Sequence, residues 1–329
     1  MILAGDVGGT KTVVARYRVD DQGALEQRQL ATYPSGEYLS LDGILQTFLK
    51  QCPDEPVLSA CFGVAGPVIR GESRTTNLPW ALSERSLARI VGTPRVKLLN
   101  DLEATAYGML FLGPEERVVL NPGAAGAAGN IAVLAAGTGL GEAILYWDGL
   151  RHHAIATEGG HCDFAPRTDR EIELLGYMRA RLGGHVSYER ILSGPGLFNV
   201  YVFLRDSGYG VEPSSVTEAL RTGDPSATIS RLALAGEDPL CMAALDLFVG
   251  VYGAEAGNLA LKCLAAGGVY IGGGIAPKIL PALMGGAFME SFLDKGRFAA
   301  LLKDIPVSVA TNPQTALLGA ANYALKGYT

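Results

Sequence analysis

The sequence predicts an α/β chain with mixed β-sheets and helices interleaved among the strands. Three observations predict it. A glycine turn flanked by apolar, β-like runs occurs twice, at Ala4-Gly5-Asp6-Val7-Gly8-Gly9-Thr10-Lys11-Thr12 and at Ala135-Ala136-Gly137-Thr138-Gly139-Leu140-Gly141. Short apolar runs of strand character alternate with segments of helical period. The chain has 329 residues, 48% of them hydrophobic, enough for one large or two ordinary domains with substantial cores.

Residues 1–20 read as two strands around the first glycine turn. Residues 41–49 place Leu41, Ile44, Leu45, Phe48 and Leu49 on one helical face. Residues 57–64 read as a buried strand ending at Ala65-Gly66-Pro67, and 83–90 as a helix with Ser83 as N-cap. A short strand over 96–99 runs into Asn100-Asp101, followed by a helix over 102–111. Glycine and alanine make 121–130 a loop, after which the second glycine turn begins. A helix is expected over 169–182, a long apolar helical region over 240–265 and a strand over 267–274 closed by three glycines. Another helix starts within 277–284, a last strand covers 307–309, and Asn312-Pro313 opens a terminal helix over 314–325 with Pro in the first turn. The domain boundary falls near 108–130.

A net charge of −6 with no long basic run argues against nucleic acid as the main partner. Five widely spaced cysteines with no Cys-x-x-Cys pair read as a reduced, intracellular chain. His161-Cys162-Asp163 lacks the neighbouring sulfur and nitrogen donors that a zinc site needs. Neither a signal peptide nor an uninterrupted apolar stretch long enough for a bilayer is expected.

Each glycine turn leads from one β-like run into another, so each is expected to be a hairpin tip and not a strand-to-helix turn. That separates both from a Walker loop and from a dinucleotide fingerprint, which open helices. Without a Cβ in the way, backbone N–H groups can approach an anion. Two such tips, with Asp6 and the hydroxyls of Thr10, Thr12 and Thr138, could hold a nucleoside triphosphate by its phosphates; glycine hairpins also occur with no ligand at all. Asn100-Asp101, where a strand meets a helix, is either an ordinary N-cap or a carboxylate placed for chemistry at a strand end. Glu158-Gly159-Gly160-His161 suits a tight loop against a ligand, or a structural hydrogen-bonder. Glu189 reads equally as a surface residue, and Asn77 as a turn residue ahead of Pro79. Together these side chains offer the paired acceptors and donors that a polyhydroxy ligand needs.

The motifs, in this order, resemble the bacterial glucokinases of the hexokinase and actin superfamily, outside the repressor and kinase (ROK) group. The strings are Gly5-Asp6-Val7-Gly8-Gly9-Thr10, Ala65-Gly66-Pro67, Thr76-Asn77-Leu78-Pro79-Trp80, Asn100-Asp101, Gly137-Thr138-Gly139-Leu140-Gly141, Glu158-Gly159-Gly160-His161, Glu189-Arg190-Ile191-Leu192-Ser193-Gly194-Pro195-Gly196 and Gly272-Gly273-Gly274-Ile275. Lys11 departs from the Asn frequent in this group and matches the ROK group, but the Cys-rich zinc motif of the ROK group is missing after His161. The resemblance implies two actin-like (ribonuclease H-like) domains with mixed sheets around a central cleft, residues 1–110 with 311–329 and residues 111–310. It implies ATP-dependent phosphorylation of glucose with Mg²⁺, in the cytoplasm, by a homodimer with no membrane or nucleic-acid partner. Asp101 would be the catalytic base, and Asn77, Asn100, Asp101, Glu158, His161 and Glu189 would bind the hexose. Gly5, Asp6, Val7, Gly8, Gly9 and Thr10, with Gly137, Thr138 and Gly139, would face the phosphates; Gly272, Gly273 and Gly274 would lie near the adenosine. Two alternatives remain at this point: a kinase for fructose, mannose or an N-acetyl hexosamine, and a non-catalytic nucleotide- or sugar-binding regulator.

Overall fold

Both glycine turns join antiparallel strands. In the first, β1 (Ile2–Val7) pairs with β2 (Lys11–Val19), Val7 opposite Thr12. In a computed structural model describing residues 1–51, 55–75, 78–124, 126 and 128–327, the chain forms two units: Met1–Glu115 with Asn312–Thr329, and Glu116–Thr311.

In the first unit, β1 and β2 are followed by β3 (Leu25–Pro34), α1 (Leu41–Leu49) and β4 (Ser59–Val64). The short strands β5 (Val68–Ile69), β6 (Glu72–Arg74) and β7 (Ala81–Ser83) form a small sheet of their own. Then come α2 (Glu84–Val91), β8 (Val96–Asn100), α3 (Asp101–Met109) and, at the far end of the chain, a helix over Thr315–Lys326. The main sheet has the order β3-β2-β1-β4-β8, with β1, β4 and β8 parallel. Central β1 and β4 are almost wholly buried, which explains their continuous apolar runs. Edge strand β3 exposes most of its polar residues and lacks the alternation that marks a strand in sequence. Ser83 stands at the N-cap of α2, but its side chain makes no capping bond. The terminal helix starts at Thr315, so Pro313 precedes it; Asn312 accepts the Gln314 N–H at 2.7 Å and the Thr315 hydroxyl. This helix packs on α3 through Gly108 and Gly319, where a Cβ would overlap the carbonyl oxygens of Thr315 and Ala104.

The second unit contains β9 (Arg117–Asn121), the hairpin β10 (Ile131–Ala136) and β11 (Leu140–Trp147), and β12 (His152–Ala156). Helices α4 (Asp169–Leu182), α5 (Gly194–Asp206), α6 (Ser214–Thr222), α7 (Pro225–Leu234) and α8 (Pro239–Cys263) follow. The unit closes with β13 (Gly268–Gly272), α9 (Leu280–Met284), α10 (Ala287–Leu293), α11 (Ala299–Lys303) and β14 (Val307–Ala310). Its sheet runs β12-β11-β10-β13-β14-β9, again an antiparallel meander continued by parallel strands, with β9 antiparallel at the far edge. Mixed sheets flanked by helices thus occur in both units, as the sequence predicts. No uninterrupted apolar stretch of bilayer length is expected, and α8 is interrupted by Asp246, Glu255 and Lys262. Helix α8 is long and apolar enough by length and composition to cross a membrane. Its most apolar window is 72% buried inside the protein, and that packing accounts for its hydropathy.

Candidate active site

In the first unit, the parallel strands β1, β4 and β8 end at one edge of the sheet. Register sets Asp6 beside Gly63 and Val64 beside Asn100. Gly63 leaves room for α3, because a Cβ there would overlap that of Ala104. Asn100 is both the last residue of β8 and the N-cap of α3. Its side-chain oxygen accepts the Leu102 N–H at 2.9 Å, while the Glu103 carboxylate accepts the Asn100 N–H at 2.9 Å, a reciprocal capping box. Asn100 Nδ2 also donates to the Gly66 carbonyl at 3.1 Å. Asp101 opens the helix, and its Oδ1 accepts the same Leu102 N–H at 2.9 Å. The backbone dipoles at this terminus stabilise the ionised carboxylate.

Asp6 is the second acid of this edge. Burial pushes its carboxyl up to about 6, Asp101 adds to the rise, and Lys11 opposes it. No hydrogen bond from the described residues reaches its carboxylate. The turn beyond it is closed by Gly8 N–H donating to the Lys11 carbonyl at 3.0 Å. Ser35 clamps the turn, donating through its hydroxyl to the Gly8 carbonyl at 2.8 Å and through its N–H to the Thr10 carbonyl at 3.0 Å. Thr12, expected among the phosphate-facing hydroxyls, is fully buried and bonds Ser35 Oγ at 2.9 Å. Gly5 and Val7 are core positions: a Cβ on Gly5 would overlap the Phe62 ring, and Val7 is 1% exposed. Gly9 is half-buried and Thr10 exposed at the tip. Asn77 lies outside the described residues.

In the second unit three turns meet. The first is the 137–139 tip, closed by Gly137 N–H donating to the Gly139 carbonyl at 2.8 Å. The second is the 158–161 turn. Gly159 lies flush on the Glu142 carboxylate and Gly160 on the Leu140 carbonyl, where a Cβ on either would overlap those atoms. The third is the one-turn helix Tyr188–Arg190, tied to the second because Tyr188 N–H donates to the Cys162 carbonyl at 3.0 Å. Glu189 joins all three: its Oε2 accepts the Leu140 N–H at 3.0 Å and its Oε1 lies 3.8 Å from His161 Nε2. Glu158 and His161 remain exposed, free to meet a ligand. Asp163 is 3.0 Å from His185 Nε2. Among the described residues no group of three or more His, Cys, Asp or Glu side chains could hold a metal ion.

A cavity of about 830 Å³ adjoins the 137–139 tip, lined among others by Thr138, Phe198, Asp224, Ser226, Gly274 and Lys278. Two helix N-termini reach it: Ser193 caps α5 and Asp224 caps α7. Gly273 is held at φ 80°, where a Cβ would overlap the Ala136 backbone, so it docks β13 onto the hairpin base. The contributions of α5 and α7 were not read from sequence, although Ser193-Gly194-Pro195 and Asp224-Pro225 both carry the cap-then-proline signal of a helix start. Glu142 was also missed, since a lone Glu in an apolar strand carries no motif.

The glucokinase family model matches residues 3–327. The glucokinase of Trichormus variabilis is 40% identical over 338 residues, 98% of each chain. That of Synechocystis sp. is 41% identical, covering 97% of this chain and 96% of its own. Among solved structures, glucokinase from an Antarctic psychrotroph matches with a TM-score of 0.87 and 32% identity, over 99% of this chain and 98% of its own. The two units accordingly have the actin-like α/β fold of these enzymes. With a family model and full-length relatives in agreement, the chain belongs to the glucokinase family.

Proposed function

We infer that the chain catalyses ATP-dependent phosphorylation of D-glucose to glucose 6-phosphate, with Asp101 as the base. The observation that carries the reading is Asp101 itself: a carboxylate at a strand end and a helix start, beside a second acid, in a chain matched by the glucokinase family model from residue 3 to 327. In this reaction Asp101 takes the proton of the sugar 6-hydroxyl as that oxygen bonds the γ-phosphorus and ADP departs. Positioning and charge neutralisation supply most of the acceleration.

Asn77, Asn100, Glu158, His161 and Glu189 would bind the sugar hydroxyls. A pocket built of such groups leaves one of them unpaired when a hydroxyl is missing, and so rejects the wrong sugar. The 8–10 and 137–139 tips would donate backbone N–H groups to phosphate oxygens, and the cavity beside α5 and α7 would take the adenosine. Asp6 fits a divalent cation: a partly buried carboxylate next to another acid gains from a positive partner. Mg²⁺ held there through the phosphates would offset their charge. A homodimer in the cytoplasm is the proposed working form.

The test is ADP release with Mg-ATP across glucose, fructose, mannose, galactose and N-acetylglucosamine. Turnover on glucose well above the other sugars supports the reading. Turnover on another sugar alone replaces the substrate, and none on any sugar overturns the reading.

A further inference from the structure

Glu142 is a buried acid that neither the chemistry nor the sugar contacts above employ. It sits on β11, is 1% exposed, and its Oε1 has no hydrogen-bond partner. Its other oxygen lies against Gly159, in the turn that carries Glu158 and His161. Its main chain holds the same turn: Thr157 Oγ1 donates to the Glu142 carbonyl at 2.7 Å and accepts the Gly159 N–H at 3.1 Å.

The groups facing Glu142 come from α8. Glu255, 0% exposed, repels it, Lys262 attracts it, and the Tyr252 hydroxyl lies in the same electrostatic environment. Cys162, beyond the turn, faces Lys262. Glu255 is well supplied with partners: Lys262 Nζ at 3.2 Å, Asn258 Nδ2 at 2.8 Å and the Tyr188 hydroxyl. Tyr188 precedes Glu189. The two buried acids therefore stand behind the two turns that present Glu158, His161 and Glu189. Glu255 has a full set of donors and Glu142 has none for Oε1. When both are ionised, the second charge has one shared cation and an orphaned oxygen. The turn at Gly159 and Gly160 lies directly against the Glu142 carboxylate.

Resting on the glucose-phosphorylating reading, we propose that Glu142 is a positioning residue whose charge state sets the seat of the 158–161 turn and thereby the affinity for the hexose. With a proton on Glu142 the turn lies flat on β11 and presents Glu158 and His161. Without it, repulsion from Glu255 displaces the carboxylate into Gly159 and loosens the site. Burial and Glu255 push Glu142 up to about 7, so the change falls within an accessible pH range.

The experiment is the glucose KM at saturating Mg-ATP, measured from pH 6 to 8.5 for the wild type, Glu142→Gln and Lys262→Met. The wild-type KM is expected to rise by about fivefold or more with pH, the low end of coupling between two sites. Glu142→Gln is neutral throughout and should lose that rise, holding the low-pH value. Lys262→Met, at a half-exposed position, removes the cation that favours the ionised pair and should move the rise to higher pH. A Glu142→Gln profile that follows the wild type overturns the proposal, as does an unmoved rise in Lys262→Met. Absence of glucose turnover in the wild type is a separate result, and it overturns the glucose-phosphorylating reading.

Discussion

Replacing Asp6 by Asn should stabilise the protein while crippling the enzyme. The magnitude follows from the cost of keeping this carboxylate ionised in the fold. Asp6 titrates at about 6 when folded against 3.8 when free, because burial and Asp101 disfavour its charge. At about 1.4 kcal/mol per pH unit, the ionised form costs about 3 kcal/mol at neutral pH. The sign is fixed by linkage. Below pH 3.8 both states hold the proton and nothing is lost; as the pH climbs through 6 the unfolded chain releases its proton first, and stability falls. Asn carries no charge, so Asp6→Asn should match the wild type near pH 3.8 and exceed it by up to about 3 kcal/mol above pH 7. Denaturant unfolding of both proteins at a series of pH values measures the gap, and ADP release measures the loss of activity. Such exchanges of stability for function are common at active sites. A variant less stable than the wild type at pH 7, or a gap that does not grow with pH, would refute the reasoning.

Glu158→Gln and His161→Ala should each raise the glucose KM by roughly tenfold, the worth of one hydrogen bond to a sugar hydroxyl, with kcat affected less; steady-state kinetics showing an unchanged KM in both would remove these residues from the sugar site. Gly319→Ala should destabilise the first unit by about 3 kcal/mol, since its Cβ meets the Ala104 carbonyl and the Gly108 backbone nitrogen, neither of which can swing aside. An unchanged denaturant midpoint would mean that the two helices part at little cost.

What the sequence made legible was what local chemistry dictates. The hairpin nature of both glycine turns follows from strand-like runs on either side, and the pairings of Val7 with Thr12 and of Ala136 with Leu140 agree. Apolar periodicity marked α1, whose packing face is continuous in sequence, and a long apolar run marked α8, which is buried on most sides. Strand β3 escaped because an edge strand with Glu26, Gln27, Arg28 and Gln29 has little apolar pattern to display. The candidate site was partly legible for the same reason. Asn100 and Asp101 are adjacent in sequence, and the glycines around Glu158 and His161 mark a turn. The part played by Glu189 depends on the Leu140 N–H, 49 residues away, and that of Glu142 on Glu255, brought near by α8. Such long-range meetings leave no local signal. Thr12 shows the reverse case, a hydroxyl in a suggestive motif that the fold turns inward to Ser35.

The proton transfer assigned to Asp101 is tested most directly by Asp101→Asn. Asn retains an oxygen able to accept the Leu102 N–H, so the helix start survives while the base is lost. At saturating glucose and Mg-ATP, kcat should fall by about 10²-fold or more, with the glucose KM within a few-fold of the wild type. Turnover near the wild-type rate would contradict the assignment of Asp101 as the base.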